Sequence, residues 1–201
     1  METSMLRSRQ HGGAGSRALV RRTAPLLLIA TLAQASPVDV ALDDSRGSCR
    51  VRGWFAAPVP EAVAWDVLTD YDNIGRFVRS VRASRRERGA DGQLLLRQDA
   101  VGGVFILRRR MQALLEIHED SGSRIRLRDV LGRYFNRYVG EWGISADSTG
   151  TRVDYRLEAE PRAVVARAFC RGLLRNTAED LLTQVRAEMM RRGDSAQNRT
   201  R

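Results

Sequence analysis

The sequence predicts an α+β fold in which a curved antiparallel sheet wraps around a long C-terminal helix. Residues 48–73 read as an alternating apolar strand that passes through a proline-bounded corner into an amphipathic helix. Six further strand-like segments follow with short turn signals between them, which favours hairpins over alternating βαβ units. Residues 163–192 then carry one apolar stripe at helical spacing. A sheet of this kind tends to enclose a cavity against its helix.

The first strand and the two helices after it are marked by periodicity and by prolines. From Cys49 onward apolar and polar residues alternate, which is the pattern of a half-buried strand. Pro58 ends this strand, and Pro60 suits the first turn of the amphipathic helix. Residues 75–78 are expected to form a second, short helix whose Phe77 points inward.

The remaining strands are separated by glycine-rich and serine-rich turns. They are expected at residues 81–88, 94–101, 104–118, 124–131, 134–146 and 152–159. Gly102-Gly103 is typical of a hairpin and not of a phosphate-binding loop, because a strand follows it where a helix would be required. The predicted sheet is therefore an antiparallel meander.

The last predicted element is a helix over residues 163–192. Three- and four-residue spacing defines its buried stripe, which consists of Leu174, Ala178, Leu181, Leu182, Val185 and Met189. The concave apolar side of the sheet is the expected partner of this stripe. Residues 193–201 are expected to be a disordered tail.

The N-terminal region is predicted to be a secretory leader. An arginine pair precedes an apolar run over residues 24–33, and small residues flank a cleavage point near position 35. The run is too short to span a bilayer. We therefore expect a signal peptide over 1–35, a polar linker over 36–47, and a mature protein that is periplasmic or secreted. An uncleaved membrane anchor and a disordered N-terminal tail are the alternative interpretations.

Composition excludes several kinds of catalytic site. The 201 residues include 34 basic ones, all arginine, and 24 acidic ones, and the arginines are scattered as on a solvated surface. His11 and His118 are the only histidines, so the chain has almost no histidine available for a zinc site or a Ser-His-Asp triad. Neither a metal nor a cofactor is predicted. For Cys49 and Cys170, a disulfide bond and free buried thiols both remain open.

Several soft motifs occur in an order that resembles a known superfamily. They are Val51-x-Gly53-x-Phe55, Pro58 and Pro60, the segment at 65–73, Phe77, Gly140-x-Trp142-x-Ile144, Thr151-x-Val153-x-Tyr155 and Pro161. Together they resemble the START-like superfamily (SRPBCC), specifically its polyketide cyclase/dehydrase and coenzyme Q-binding branch. The resemblance covers 48–192. It implies a helix-grip (START/Bet v 1-like) fold with a deep apolar cavity for a lipid, a quinone or a polyketide-like molecule. Related sequences carry an acidic residue where this one has Arg133.

Strand parity supplies candidate contacts for a ligand. Alternation places the Arg109 guanidinium on the inner face of its strand, where it is expected to reach the rim, pair with an acid or contact a polar ligand group. The same parity groups Tyr134, Asn136, Tyr138 and Trp142 on one face. The candidate ligand-binding residues are Phe77, Phe105, Leu107, Arg109, Met111, Tyr138, Trp142, Tyr155 and Phe169. No catalytic and no metal-binding residue is predicted.

The predicted function is the binding or transport of a hydrophobic small molecule. The alternative is a cyclase or dehydratase in which Arg109, Asn136 or Tyr138 orients an enolisable substrate, although the sequence shows no poised acid–base pair. A basic module that binds RNA or the ribosome is a second alternative. Export and the lack of aromatic residues among the arginines argue against nucleic acid. Transient contact with an anionic membrane surface fits the basic charge, and the oligomeric state stays open.

Overall fold

Eight strands and three helices make up the part of the chain that the computed structural model describes, residues 38–45, 48–102, 109–120, 122–162 and 165–198. The strands are β1 Asp39–Ser45, β2 Ser48–Ala57, β3 Val81–Arg88, β4 Leu94–Gly102, β5 Arg109–Asp120, β6 Arg124–Asp129, β7 Phe135–Asp147 and β8 Gly150–Pro161. The helices are α1 Glu61–Leu68, α2 Ile74–Phe77 and α3 Val165–Gln197. Side chains are described throughout these ranges except at 44, 45, 102, 109 and 165–173. The predicted leader at 1–35 lies outside them.

One antiparallel sheet contains all the described strands. Its order is β1-β2-β8-β7-β6-β5-β4-β3, so β1 and β3 form the two edges. Every neighbouring pair is antiparallel. Helix α3 contacts β1 and β2 at one edge, and it also contacts α1 and α2. The predicted α+β class, with a curved antiparallel sheet and a closing C-terminal helix, is confirmed.

Gly53 of β2 allows α3 to approach the sheet closely. A Cβ atom at Gly53 would lie 2.5 Å from Cδ1 of Leu182 and 2.9 Å from the carbonyl oxygen of Asp39, both too close for a side chain. Leu182 is fully buried at this crossing. One turn later, Nε of Arg186 donates a hydrogen bond of 2.8 Å to the carbonyl oxygen of Ala56. The helix is therefore fixed to β2 by apolar packing and by a backbone hydrogen bond.

The predicted linker over 36–47 is wrong for most of its length, because it contains β1. All seven residues of β1 pair with β2, and Val40 is buried in the core. Val38, Val40 and Leu42 alternate with Asp39 and Ala41 in the two-residue period of a strand.

The predicted end of the last helix is also corrected. Helix α3 continues to Gln197, inside the segment 193–201 that was expected to be disordered. Gly193 is buried against Val59, and a Cβ atom there would lie 2.7 Å from Cγ1 of Val59. Tertiary packing thus extends a helix that local propensity would stop.

Cys49 is buried and disulfide-bonded, so it is not a free thiol. Cys170 is the only other cysteine of the chain. Its side chain lies outside the described residues.

A cluster of charged side chains fastens the C-terminal half of α3. Arg192 donates hydrogen bonds of 2.7 Å to Oδ2 of Asp70 and 2.8 Å to Oε1 of Glu188. Arg191 donates a further bond of 2.7 Å to Glu188, and the bonds from Arg191 and Arg192 lower the pKa of Glu188 against the effect of burial. Burial alone would raise the pKa of Asp70, but hydrogen bonds from Asn73 and Arg192 hold it below its ordinary value.

We expect Arg192→Met to lower the free energy of unfolding at pH 7 by about 1–3 kcal/mol, because it removes the guanidinium that joins two partly buried carboxylates and leaves Glu188 with Arg191 alone and Asp70 with Asn73 alone. Carboxylates with a lowered folded-state pKa stabilise the fold above their unfolded-state pKa and lose this effect as the pH falls through the folded-state pKa. The difference between wild type and variant should therefore shrink between pH 7 and pH 3 in urea denaturation.

Arg175→Met is the matched control on the same helix, because Arg175 and Glu179 form an exposed pair. It should change stability little at any pH. If the loss of stability caused by Arg192→Met stays constant down to pH 3, the charged cluster does not stabilise the fold as proposed.

Candidate ligand-binding site

A cavity of about 290 Å³ lies between the concave face of the sheet and the helices. Its wall is mainly apolar and comes from α1, α2, the strands β3 to β8, and α3. Ligand pockets usually measure roughly 300–1,000 Å³, so this cavity lies just below that range. It suits a compact apolar molecule or the apolar part of a larger one.

Strand pleating and helical periodicity explain the apolar wall. On β5, Met111, Ala113, Leu115 and Ile117 are alternate residues, and all of them line the cavity. On α3, the lining residues follow three- and four-residue spacing and are Leu174, Thr177, Ala178, Leu181 and Val185. In the described parts of these two elements the predicted inner residues line the cavity, and Gln112 of β5 lines it as well.

Five of the predicted ligand contacts line the cavity, namely Phe77, Met111, Tyr138, Trp142 and Tyr155. That they touch a ligand stays a prediction. The other four are Phe105, Leu107, Arg109 and Phe169, whose side chains lie outside the described residues. The inward position of Arg109 stays a prediction for the same reason.

A β-bulge at the start of β7 changes which residues face the cavity. The pairing of β7 with β8 shifts register between Phe135 and Arg137. As a result Phe135 lines the cavity, whereas Asn136 is exposed. The parity that grouped Asn136 with Tyr138 is therefore wrong, because one extra residue reverses the alternation.

Aromatic rings form one side of the cavity. The ring centroids of Trp142 and Tyr155 lie 4.5 Å apart, and those of Phe135 and Tyr138 lie 5.0 Å apart, both in tilted geometry. Such pairs are favourable beyond the apolar area that they bury. The wall thus offers flat, rigid surfaces to a ligand.

Tyr138 and Tyr155 bring hydroxyl groups to the wall of the cavity. No described residue forms a hydrogen bond with the hydroxyl of Tyr138 or Tyr155. Neither hydroxyl oxygen is completely buried without a partner. Burial, followed by the charge of Asp129, raises the pKa of Tyr138 to about 12. Burial, followed by the charge of Tyr138, raises the pKa of Tyr155 well above its ordinary value. Both hydroxyls are therefore neutral hydrogen-bond donors at neutral pH.

Two other polar lining groups, those of Tyr71 and Asp129, are already engaged within the protein. The Tyr71 hydroxyl donates a hydrogen bond of 2.7 Å to Glu119, and burial followed by this bond raises its pKa. The two oxygens of Asp129 accept the backbone N–H groups of Leu131 and Gly132 at 3.0 and 3.2 Å. Neither residue was predicted from the sequence to line the cavity, although Tyr71 lies inside the segment at 65–73 that carries the family likeness.

The turn at Gly132-Arg133 forms a hydrogen bond with a side chain of β5. Nη1 of Arg133 donates a hydrogen bond of 2.9 Å to Oε1 of Gln112, a lining residue on β5. Gly132 has a φ of +59°, which favours glycine. The arginine therefore binds an amide oxygen across the sheet.

Clusters of metal-binding side chains and helices able to span a membrane are not found in the described part of the chain. No group of three or more histidine, cysteine, aspartate or glutamate residues there could hold a metal ion. None of its helices combines the length and the apolar character needed to cross a bilayer.

A family model and several solved structures are similar to this chain. A family model described as "Polyketide cyclase / dehydrase and lipid transport" matches residues 48–190. No curated protein matches the sequence. Among solved structures, the Zhui aromatase/cyclase from Streptomyces sp. R1128 aligns with a TM-score of 0.63 and 15% identity over 72% of this chain and 95% of its own.

Two further solved structures share the fold. A STAR-related lipid transfer protein from Xanthomonas axonopodis aligns with a TM-score of 0.57 and 17% identity over 75% of this chain and 98% of its own. A START superfamily protein from Mycobacterium smegmatis aligns with a TM-score of 0.57 and 13% identity over 73% and 98%. At these identities the likeness is one of fold.

We expect Tyr138→Phe to weaken the binding of 9-fluorenone, an apolar ketone, while leaving fluorene, its hydrocarbon analogue, unaffected. Loss of one neutral hydrogen bond costs about 1 kcal/mol, or roughly a fivefold loss of affinity. Isothermal titration with both probes measures the difference.

Tyr71→Phe is the control, because the Tyr71 hydroxyl already binds Glu119 and is not free for a ligand. It should leave the ratio of the two affinities unchanged. Equal losses for both probes in Tyr138→Phe would show that the Tyr138 hydroxyl does not contact the ketone oxygen.

Proposed function

Because the chain belongs to the polyketide cyclase/dehydrase and lipid transport family, we propose that it binds a hydrophobic small molecule in its cavity and carries it. The observation behind the proposal is the apolar cavity between α3 and the concave sheet. Burial of apolar surface supplies the main driving force for binding at such a site. A carrier needs this cavity and no reactive group.

The chemistry of the wall narrows the ligand to an apolar molecule with an acceptor oxygen. Aromatic rings favour flat or conjugated groups, and the hydroxyls of Tyr138 and Tyr155 donate hydrogen bonds to a carbonyl or ester oxygen. A quinone such as coenzyme Q, a polyketide-like ketone and a lipid ester all satisfy these conditions. An anionic group next to these neutral, buried tyrosines would be disfavoured by desolvation.

A cyclase or dehydratase activity receives less support from the described wall. General acid–base catalysis works best with groups whose pKa lies near the operating pH. Tyr138 and Tyr155 have raised pKa values, and the Asp129 carboxylate accepts two backbone N–H groups. Asn136, a predicted orienting residue, is exposed. We therefore prefer a binding protein to an enzyme.

Ala113→Phe is expected to abolish the saturable binding of 1-aminoanthracene, an apolar fluorescent probe, because a phenyl ring at Ala113 occupies the cavity. Fluorescence titration measures binding, and thermal unfolding shows that the variant is folded. Ala83→Phe on β3 is the matched control, since Ala83 is exposed and does not line the cavity. Probe binding that is unchanged in a folded Ala113→Phe variant would refute the proposed site.

We also propose that the protein is exported to the periplasm or secreted. The apolar run at 24–33 and the small residues near position 35 support a cleavable leader. The disulfide bond at Cys49 is compatible with an oxidising compartment. The mass of the protein isolated from its host should match a chain that begins near Ser36. A mass that includes residues 1–35 would contradict cleavage.

A further inference from the structure

Five arginines lie at one end of the sheet. At this end, the strand register brings Val81 of β3 and Val101 of β4 close to Arg110 of β5. The start of β7 and the end of β8 lie at the same end. The arginine collar, as we name the group, consists of Arg79, Arg82, Arg110, Arg133 and Arg162. All five side chains are exposed.

Each arginine of the collar adjoins a residue that lines the cavity. Arg79 and Arg82 flank the lining residues Ser80 and Val81 in sequence, and Arg110 pairs across the sheet with the lining residue Val101.

The other two are joined to the wall by hydrogen bonds. Arg133 donates to the side chain of Gln112 at 2.9 Å, and Arg162 donates to the carbonyl oxygen of Phe135 at 3.4 Å. Gln112 and Phe135 both line the cavity.

The arginines of the collar are not paired with carboxylates in the described part of the chain, and two of the arginines at the opposite end are paired. None of its five arginines forms an ion pair with a carboxylate in the described ranges, and Asp129 is already bonded to backbone N–H groups. At the opposite end, Arg86 pairs with Asp72 and Arg126 pairs with Asp120. The collar therefore places five guanidinium groups, none bonded to a described carboxylate, around one end of the cavity.

An apolar side chain stands at the same end. Val130, in the turn between β6 and β7, is 43% exposed and is the exposed large hydrophobic residue of the described chain. A hydrogen bond of 2.8 Å from its N–H group to the Leu114 carbonyl oxygen anchors its backbone. Arg133 and Tyr134 follow in the same turn. Basic, aromatic and apolar side chains together are typical of a surface that meets the membrane interface.

We propose that the arginine collar and Val130 dock the protein on the surface of an anionic phospholipid bilayer, with this end of the cavity toward the lipid. The inference rests on the proposed carrier function, because a carrier of an apolar molecule must collect or release it at an apolar phase. Phosphate groups of the bilayer compensate the five guanidinium groups, and Val130 enters the interface.

The test is co-sedimentation with vesicles of phosphatidylcholine alone and of phosphatidylcholine mixed with phosphatidylglycerol. The wild type should prefer the anionic vesicles, and added salt should weaken the binding. Each arginine near an anionic surface contributes about fivefold in affinity, so R82Q/R110Q should lose about 30-fold. V130D should also bind more weakly.

R88Q/R124Q is the matched control, because both arginines are exposed, carry the same total charge and lie at the opposite end of the sheet. It should bind the anionic vesicles nearly as well as the wild type. Equal losses in R82Q/R110Q and R88Q/R124Q would overturn the proposal, since attraction would then depend on net charge alone. The proposal would also be overturned if the wild type showed no preference for anionic vesicles, or if it bound RNA and not vesicles.

Binding of 1-aminoanthracene without vesicles separates this proposal from the carrier function. Collar variants should bind the probe as the wild type does. A wild type that binds the probe but no anionic vesicle overturns the docking surface alone. A wild type that does not bind the probe overturns the carrier function on which the docking surface rests.

Discussion

The close packing of α3 on β2 at Gly53 is the contact on which the cavity depends. Eight strands at about 4.8 Å spacing make a sheet roughly 35 Å wide, whereas a helix with its side chains is only about 10–12 Å wide. Leu182 sits where a Cβ atom of Gly53 would be, so α3 lies over one edge of the sheet. The strands farther from that edge curve around space that the helix cannot fill, and α1 and α2 cover only part of it. The cavity is therefore a geometric consequence of where one helix is fastened.

Polar groups around this space have two separate roles. Arg192, Asp70 and Glu188 join α3 to the segment after α1, and their charges are compensated within the protein. In contrast, Tyr138 and Tyr155 keep neutral hydroxyls that no described residue binds. The first group fixes the wall, and the second leaves hydrogen-bonding capacity for a guest molecule. The wall of the cavity is therefore fastened by paired charges and still retains two hydroxyl donors.

Periodicity in the sequence predicted the architecture and most of the inner faces, because both depend on regular alternation. It failed where one local irregularity changed the count: the bulge after Phe135 exposes Asn136. It also failed where tertiary contacts outweigh composition, since the acidic stretch of β1 is held by β2, and Gly193 stays helical against Val59. Tyr71 and Asp129 were not predictable as lining residues, because their neighbours come from distant parts of the chain. Specific ligand contacts require the three-dimensional arrangement.

An apolar guest in the space beneath α3 can be detected by native mass spectrometry of the protein purified from its own host. We expect a mass above that of the polypeptide, with the excess removed by organic solvent and identified as an apolar molecule that carries an oxygen acceptor. A bare polypeptide mass under gentle conditions, together with no apolar molecule in the solvent extract, would contradict it.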